Sequence, residues 1–315
     1  MFKAEIISLV QRFELGGTGR LHVYPTKRLF ITGRYEFANH GKSLFFACNR
    51  KQDKQKKAMY KIAMIGAGNV AWHLAPALEQ CGHLVTTVYS RRLHHAAALC
   101  ERLYEAEATD SLDFSETAAN FFVLSVSDDA LPVVVDRLIL PEHPLMVVHT
   151  SGSRPLEVLR VLEVPHGVFY PLQTFSKTKP LDWHRLPICV EGNTPETEAR
   201  LLRLARALST RVYQVNSERR RYLHVAAVFA CNFTNHLLAL AEDLCEQYDL
   251  DFDMLRPLVG ETIEKAMQIG ARQAQTGPAA RGDVELIEQH LRLLAHDPDK
   301  QRIYRLLSES ILNQH

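Results

Sequence analysis

The sequence predicts an α/β fold in which a doubly wound, parallel sheet is followed by an all-α region. Short apolar runs alternate with helical stretches from Lys61 to Val215, which is typical of a sheet with helices on both faces. The stretch KIAMIGAGNVAWHL, residues 61–74, places a glycine-rich turn between such a run and a helix. After Val215 the strand-like runs stop, and helical periodicity continues to residue 313.

The sheet region begins with four strand-like runs, KIAMIG, LVTTVYS, FFVLSV and LMVVHT. Three helical stretches lie between them, NVAWHLAPALEQCG, RLHHAAALCERLYE and DDALPVVVDRL. The runs HGVFYPLQTF, PICVEG and RVYQV extend the predicted sheet. A helix over TPETEARLLRLARALS precedes the last run, with Thr194 as its N-cap and Pro195 in its first turn.

The helical region is predicted to contain a long first helix and three further ones, DMLRPLVGETIEKAMQIGARQA, DVELIEQHLRLLAH and DKQRIYRLLSESIL. In the first helix the segment LHVAAVFACNFTNHLLALA is apolar almost all round. Such a helix must be covered on every side, by its own domain or by a partner subunit. We therefore expect a homodimer.

Three regions follow from these patterns: residues 1–58, 59–215 and 216–315. The first carries 12 Lys and Arg against 4 Asp and Glu and has one candidate amphipathic helix, on Phe2, Ile6, Leu9, Val10 and Phe13. We interpret it as a poorly ordered extension, or as residues upstream of a start codon at Met59; a targeting or binding arm is the alternative.

The composition of the chain limits the classes of protein to which it can belong. Hydrophobic residues make up 46% and charged residues 23% of the chain, as in globular proteins with a core. No uninterrupted apolar run reaches the roughly 18 to 20 residues of a membrane span, and no secretory signal is recognised. We expect a cytoplasmic protein without a membrane or nucleic-acid partner, because residues 59–315 carry 25 basic against 32 acidic residues. The six scattered cysteines predict free thiols and no metal site.

The glycine-rich turn predicts binding of a dinucleotide by a Rossmann domain. Gly66 permits the tight turn, Gly68 lets the backbone approach a pyrophosphate, and Ala71 lets the helix pack on the strand. Asn69 and Val70, in the same turn, would present the helix N-terminus to the phosphates. A purely structural turn is the alternative.

The residues at the end of the next strand-like run indicate whether NAD(H) or NADP(H) is bound. An NAD site usually ends this strand on Asp or Glu, whereas here the run ends YSRR. Ser90, Arg91 and Arg92 offer a hydroxyl and two guanidinium groups, which suit the 2′-phosphate of NADP(H). Solvated arginines at a helix start are the alternative interpretation.

Six stretches in order, IGAGNVAWHLAPAL, SVSDDAL, VVHTSGS, GVFYPLQTFS, HVAAVFACNFTNHLL and TGPAARGD, resemble a bacterial family. That family joins a Rossmann domain similar to NADP oxidoreductases to a helical domain of unknown function, and the resemblance spans residues 59–313. More distantly the chain is similar to pyrroline-5-carboxylate reductases, prephenate dehydrogenases and 3-hydroxyacid dehydrogenases. The resemblance implies hydride transfer and a helical domain that contacts substrate and dimerises, but it names no substrate.

The loops after the third and fourth runs contain further candidate residues. Ser125, Val126 and Ser127 are predicted to contact the cofactor, while Asp128 and Asp129 are equally well explained as helix caps. His149 and Ser151 end the next run, where nicotinamide and substrate are expected. A strand-end histidine bonded to backbone is the alternative for His149.

The chain departs from its distant relatives at two places. It has Tyr170 and Pro171 where prephenate dehydrogenases have His-Pro. It also lacks the lysine that 3-hydroxyacid dehydrogenases carry at the start of the long helix.

His224 lies in the region where that lysine is expected, and α-helical spacing puts His224, Asn232 and Asn235 on roughly one stripe of the helix. One interpretation is that these three side chains bind a polar substrate. The alternative is that they form hydrogen bonds within an interface between helices. Arg281, in the loop TGPAARGD, is a candidate clamp for a substrate carboxylate; a salt bridge to Asp283, the expected cap of the next helix, is its alternative.

These observations predict an NADP(H)-dependent oxidoreductase that transfers a hydride to or from a small, carboxylated carbonyl, imine or alcohol. His224 is the expected general acid or base, because histidine is the side chain that ordinarily titrates near neutral pH. A dinucleotide-binding sensor or scaffold without turnover is the alternative.

Overall fold

The computed structural model describes residues 20–23, 29–32 and 59–314. Its contacts divide the chain into two units, residues 1–57 and 58–315. In the first unit, β1 (Arg20–Val23) and β2 (Leu29–Thr32) pair antiparallel. The amphipathic helix predicted over residues 2–13 and the expected lack of order in the rest of the extension lie outside the described residues.

The second unit is built on an eight-stranded sheet with the order β10-β9-β8-β7-β6-β3-β4-β5. Because β3 has β4 on one side and β6 on the other, the winding direction reverses at β3. Open sheets of this kind bind ligands at that switch point, beyond the carboxyl ends of the strands. The strands are β3 (Lys61–Ile65), β4 (Leu84–Tyr89), β5 (Glu107–Thr109), β6 (Phe121–Leu124), β7 (Met146–His149), β8 (His166–Pro171), β9 (Ile188–Gly192) and β10 (Val212–Gln214).

The prediction of an all-parallel sheet was wrong at one edge. Strand β9 runs antiparallel to β8, with Phe169 opposite Val190, and β10 is parallel to β9. The connection between β8 and β9 holds one 3₁₀ turn, Trp183–Arg185, in place of a crossover helix, so the chain returns in the opposite direction. The short strand β5 was also not predicted.

Helices cover both faces of the sheet, as predicted. One apolar layer packs α1 (Asn69–Gln80), α2 (Leu93–Cys100) and α4 (Pro195–Leu208) on one face. The other packs α3 (Ala130–Arg137) and the 3₁₀ helix Leu156–Leu162 on the opposite face. The predicted N-cap of α4 is confirmed, since Thr194 Oγ1 accepts the Thr197 N–H at 3.2 Å.

After β10 the described chain is helical. A continuous helix over Ser217–Gln247 joins α5 (Ser217–Ala227), a π-helical segment (Val228–Phe233) and α6 (Thr234–Gln247). The remaining elements are 3₁₀ Phe252–Met254, α7 (Arg256–Ile269), α8 (Ala271–Ala274), 3₁₀ Ala279–Arg281, α9 (Val284–Leu293) and α10 (Pro298–Leu312). Asp283 caps α9 as expected, accepting the Leu286 N–H at 3.1 Å.

The long helix is unpartnered along most of its length. Its apolar side chains are open to solvent, with Tyr222 73% and Phe229 65% exposed. Burial of this helix by its own domain, one of the two arrangements expected from the sequence, is therefore not seen. Among the described residues this helix is also long and apolar enough to cross a membrane by length and composition. No uninterrupted apolar run in the sequence marks this helix, because His224, Asn232 and Asn235 interrupt its apolar residues.

Candidate functional site

Four parallel strands end at the same level and bring their following residues to one edge of the sheet. Ile65 of β3 is in register with Tyr89 of β4 and with Leu124 of β6, which is itself paired with His149 of β7. The turns after these strands therefore lie side by side. They contain the glycine-rich turn, the YSRR segment, SVSDD and TSGS.

The glycine-rich turn has the geometry that a pyrophosphate requires. Gly66 has a φ of +115°, and a Cβ there would lie 2.2 Å from the Ser125 carbonyl oxygen, so only glycine fits. Gly68 caps α1 with no side chain hydrogen-bonded to the free N–H groups of the first turn. A Cβ at Gly68 would meet only Ser125 O, at 4.0 Å, which leaves that side open. The first residues of α1, Asn69 and Val70, thus present unused N–H donors to an anion.

The predicted 2′-phosphate residues form a cavity at the end of β4. An open cavity of about 520 Å³ is lined by Ser90, Arg91, Arg92 and His95. His95 was not predicted; it lies in the first turn of α2, which begins directly after the N-cap residue Arg92. The pKa of His95 is lowered by burial and by the neighbouring charges of His94, Lys177 and Arg92. These side chains fit a bound phosphate dianion.

The loop after β6 lies between the glycine turn and the TSGS loop. The Ser125 N–H donates to Ile65 O at 2.7 Å, and Ser127 O accepts the N–H groups of Ala130 and Leu131. Val126 is packed against the apolar layer that contains α3. These contacts hold the loop's backbone at the switch point.

Asp128 and Asp129 do not cap α3 through their side chains. Asp129 forms an ion pair with Arg154 at 3.3 Å and makes no capping hydrogen bond. Asp128 accepts a short hydrogen bond from Ser153 Oγ. Burial raises the pKa of Asp128, but hydrogen bonds from Ser151 and Ser153 and the nearby His224 outweigh it, so its pKa is lowered and the carboxylate is ionised.

His149 is bound into the backbone of its own loop. The ring is fully buried, and Nδ1 accepts the Ser151 N–H at 3.2 Å. Nε2 therefore carries the proton and donates to Pro155 O at 3.3 Å. Burial and Arg220 lower the pKa of His149 to about 3. The geometry matches the alternative interpretation of a strand-end histidine that supports the loop.

Ser151 has a similar supporting arrangement. Its Oγ accepts the N–H groups of Ser153 at 3.2 Å and Arg154 at 2.9 Å. Both bonds hold the TSGS loop in a tight turn beside Asp128.

The structure brings His224 to this loop together with a residue that the sequence analysis did not select. Tyr170 Oη lies 3.2 Å from His224 Nδ1. A Cβ on Gly152 would lie 2.7 Å from His224 Nδ1 and 2.8 Å from Tyr170 Oη, so the pair rests against that glycine. Burial raises the pKa of Tyr170 to about 12, which keeps its phenol neutral. Within the described residues His224 Nε2 makes no hydrogen bond.

Tyr170 was missed because it was considered only as a departure from the prephenate dehydrogenase motif. The position of Tyr170 near the end of β8, the strand next to β7, indicates a place at the same site. No spacing rule pairs it with His224, which is 54 residues away in the sequence.

A buried ion pair fixes the start of α5 and so the position of His224. Arg220, one turn before His224, is fully buried and donates to Glu191 Oε2 and to Arg154 O, each at 2.5 Å. Glu191 also accepts the Ser217 N–H at 2.9 Å and its hydroxyl at 2.7 Å. These bonds tie α5 to β9 and to the TSGS loop.

In the described part of the chain no hydrogen bond or ring contact joins this pair to Asn232, Asn235 or Arg281. Asn232 and Asn235 are exposed on the long helix, and Arg281 is exposed in its 3₁₀ turn. The expected stripe assumed α-helical spacing, whereas Val228–Phe233 is π-helical and changes the side-chain register between His224 and Asn235. The alternative salt bridge from Arg281 to Asp283 does not form.

Comparison with known proteins defines the family. Residues 47–172 match the model of a Rossmann-like domain, and residues 186–311 match a domain of unknown function, DUF2520. A crystal structure of a putative NADP oxidoreductase from Bacteroides fragilis is 42% identical, with a TM-score of 0.73. The match covers 81% of this chain and 98% of that one. The chain belongs to the family of this Bacteroides protein. The family resemblance drawn from the six stretches is thereby confirmed.

This chain also shares its fold with more distant enzymes. A reductive aminase from Aspergillus terreus, solved with NADPH and ethyl levulinate, is 13% identical with a TM-score of 0.60; the match covers 82% of this chain and 95% of that one. A pyrroline-5-carboxylate reductase from Coxiella burnetii is 15% identical with a TM-score of 0.50, covering 82% and 97%. A search among curated proteins gives no match.

Proposed function

We propose that the protein is an NADP(H)-dependent oxidoreductase that transfers a hydride to or from a small carbonyl, imine or alcohol. The observation that carries this proposal is the common sheet edge. A glycine turn and a cationic cavity lie on it beside a paired tyrosine and histidine. The 42% identical Bacteroides protein is described as an NADP oxidoreductase, which supports the proposed cofactor.

The cofactor would be held along this edge. Gly66, Gly68, Asn69, Val70 and Ala71 would receive the pyrophosphate at the N-terminus of α1. The 2′-phosphate would bind at Ser90, Arg91 and Arg92, and Ser125, Val126 and Ser127 would border the ribose. When bound, NADP(H) supplies or accepts the hydride.

The protein's own chemical task is then to move one proton to or from the substrate heteroatom. We assign this to His224 Nε2, because Nδ1 is engaged by Tyr170. In the tautomer in which Nδ1–H donates to the Tyr170 oxygen, Nε2 is the atom that gains and loses the proton. The ionised Asp128 is close enough to attract a positive charge on His224. Tyr170 therefore positions the imidazole ring that donates the proton.

We also propose that the substrate carries a carboxylate group. Among the described residues the exposed guanidinium of Arg281 forms no ion pair, so it is available to bind a carboxylate. Asn232 and Asn235 are the proposed contacts to substrate oxygen or nitrogen. All three are exposed, and none is hydrogen-bonded to His224 among the described residues, so we propose that the second copy of the homodimer completes this part of the site.

The homodimer is supported by the open face of the long helix. Five exposed apolar side chains recur every three or four residues along it: Tyr222, Val225, Phe229, Phe233 and Leu237. Contiguous apolar surface of this kind requires cover. We propose that a second copy provides it and that the protein is cytoplasmic; detergent-dependent solubility with membrane fractionation would favour lipid as the cover instead.

Turnover tests the proposed function. Purified protein is given NADPH with keto acids and cyclic imines, and NADP⁺ with hydroxy acids, while absorbance at the nicotinamide band is followed. We expect at least one class to be turned over. NADPH binding without turnover of any class would favour the sensor alternative, and no binding of either dinucleotide would overturn both.

A further inference from the structure

A second groove lies beside α1, away from the cavity at the end of β4. Its volume is about 350 Å³, within the range of small-molecule sites. One wall is a stripe of α1 at helical spacing: His73, Pro76, Ala77 and Gln80. The rest of the lining comes from the loop after β8, from the 3₁₀ turn that follows it and from the segment beyond α2: Lys177, Thr178, Pro180, Leu181, Trp183 and Arg102. The groove therefore combines apolar, aromatic and cationic side chains.

The loop after β8 is fixed to α1 by two hydrogen bonds. Asn69 Nδ2 donates to Phe175 O at 3.0 Å, and His73 Nε2 donates to Ser176 O at 2.8 Å. The centroid of the Phe175 ring lies 6.0 Å from that of His73 and 6.4 Å from that of Trp183. Because these contacts join the two walls, the groove is a formed feature of the fold.

Two cations meet at one tryptophan ring beside this groove. The guanidinium carbon of Arg102 lies 4.3 Å from the centroid of the Trp72 ring, and Lys177 Nζ lies 4.6 Å from it. Arg102 Nη1 also donates to Trp72 O at 2.6 Å, which orients the guanidinium group. Contact with the ring stabilises each cation, but it does not remove the repulsion between the two charges.

The lining of the groove offers these cations no counter-charge. In the part of the chain that the structure describes, no lining residue is Asp or Glu, and Lys177 forms no ion pair. A bound anion would relieve the repulsion. The apolar wall, which includes Ala77, Leu181 and Trp183, would contact an uncharged part of the same ligand.

We propose that this groove binds a small organic anion, a carboxylate or a phosphate monoester that carries an apolar group. Lys177 and Arg102 bind the anionic end, and the apolar wall packs against the remainder. No residue lines both this groove and the cavity at the end of β4. The groove is thus a second ligand site, and the inference does not rest on the proposed function.

Tryptophan fluorescence of the full-length protein tests this inference directly. The chain has two tryptophans; Trp183 lines the groove, and Trp72 contacts both of its cations. Titrations with phenyl phosphate, benzoate, inorganic phosphate and benzyl alcohol are followed by fluorescence and checked by calorimetry. Phenyl phosphate and benzoate separate the two kinds of anion, inorganic phosphate lacks the apolar group, and benzyl alcohol lacks the charge.

The same titrations are made on three variants whose folding is checked by thermal unfolding. Lys177→Ala removes a cation of the groove. Lys179→Ala is the matched control, because Lys179 is an exposed lysine of the same loop that does not line the groove. The double change of Arg91 and Arg92 to Ala removes the cations of the cavity at the end of β4.

We expect saturable binding of phenyl phosphate, benzoate or both, tighter than that of inorganic phosphate or benzyl alcohol. Lys177→Ala should weaken it about fivefold, the upper range for one solvent-accessible charge pair, and added salt should weaken it as well. Lys179→Ala and the double arginine variant should bind within about twofold of the unaltered protein.

Three outcomes would overturn the inference. Without saturable binding of either organic anion, the two cations would be a structural arrangement around Trp72. Binding that is unchanged in Lys177→Ala, or that is lost in the double arginine variant, would place the anion elsewhere. Failure of NADPH to bind would count against the proposed function alone, since no probe in these titrations is a dinucleotide.

Discussion

His224 is the residue on which the proposed chemistry depends. Its Nδ1 contacts Tyr170, and its Nε2 is unbonded among the described residues. Substitution of His224 should therefore have a larger effect than substitution of Tyr170. His224→Ala removes the proton donor and should lower kcat by about 100-fold or more. Tyr170→Phe removes only the positioning contact and should cost about 10-fold.

NADPH affinity should stay nearly unchanged in both variants, because neither side chain lies in the cavity at the end of β4. Single-turnover kinetics with a substrate found by the panel, together with fluorescence titration of NADPH, measure the two effects. An unaltered rate in His224→Ala would remove the histidine from the mechanism.

Arg91 and Arg92 are the residues that we expect to determine cofactor preference. Charge-assisted contacts to a 2′-phosphate contribute roughly 1.5 to 3 kcal/mol, so the double change to Ala should weaken NADPH by about 10- to 150-fold. NADH, which lacks that phosphate, should bind the variant and the unaltered protein alike. Calorimetric titration of both cofactors at two salt concentrations measures this, and an undiminished NADPH preference would refute the assignment.

At the scale of elements, the end of α1 contains a buried carboxyl group that makes stability depend on pH. Glu79 is 7% exposed and accepts the N–H groups of Val85 and Tyr104. Burial outweighs these hydrogen bonds and raises its pKa to about 7. The folded protein therefore keeps this proton up to about pH 7, while the unfolded chain loses it near its ordinary value of about 4.3.

Because the folded state binds the proton more tightly, the contribution of Glu79 to stability falls as pH rises from about 4.3 to about 7. Glu79→Gln keeps an oxygen acceptor but carries no charge. We expect urea unfolding to show the variant gaining stability relative to the unaltered protein at pH 8 compared with pH 5. A difference between the two proteins that is the same at both pH values would show that Glu79 is not protonated in the fold.

At the scale of the whole molecule, the exposed apolar face of the long helix predicts the oligomeric state. Its exposed stripe, Tyr222, Val225, Phe229, Phe233 and Leu237, is expected to be covered by a second copy. Sedimentation at micromolar concentration should give a dimer, and Phe229→Glu with Phe233→Glu should give a monomer, because charges at the centre of an apolar interface are costly. Val161→Glu, at an exposed apolar residue of the Rossmann domain, is the matched control. A stable monomer of the unaltered protein would contradict the dimer.

Local features of this protein could be predicted from neighbouring residues. The turn at Gly66, the cavity at Arg91 and Arg92, and the caps Thr194 and Asp283 each depend on a few consecutive residues. The alternation of apolar runs with helices likewise predicted the sheet, since buried parallel strands and their covering helices have characteristic sequence periods.

Tertiary structure decided what joins distant segments. The antiparallel return of β9, the contact of Tyr170 with His224, and the contact of Lys177 with the Trp72 ring each join residues or strands that are separated in the sequence. Burial of Arg220 against Glu191 sets where α5 begins and so where His224 lies. Helical and strand periods describe one element at a time, whereas these contacts depend on how whole elements pack, and packing energy is shared among residues that no local pattern relates.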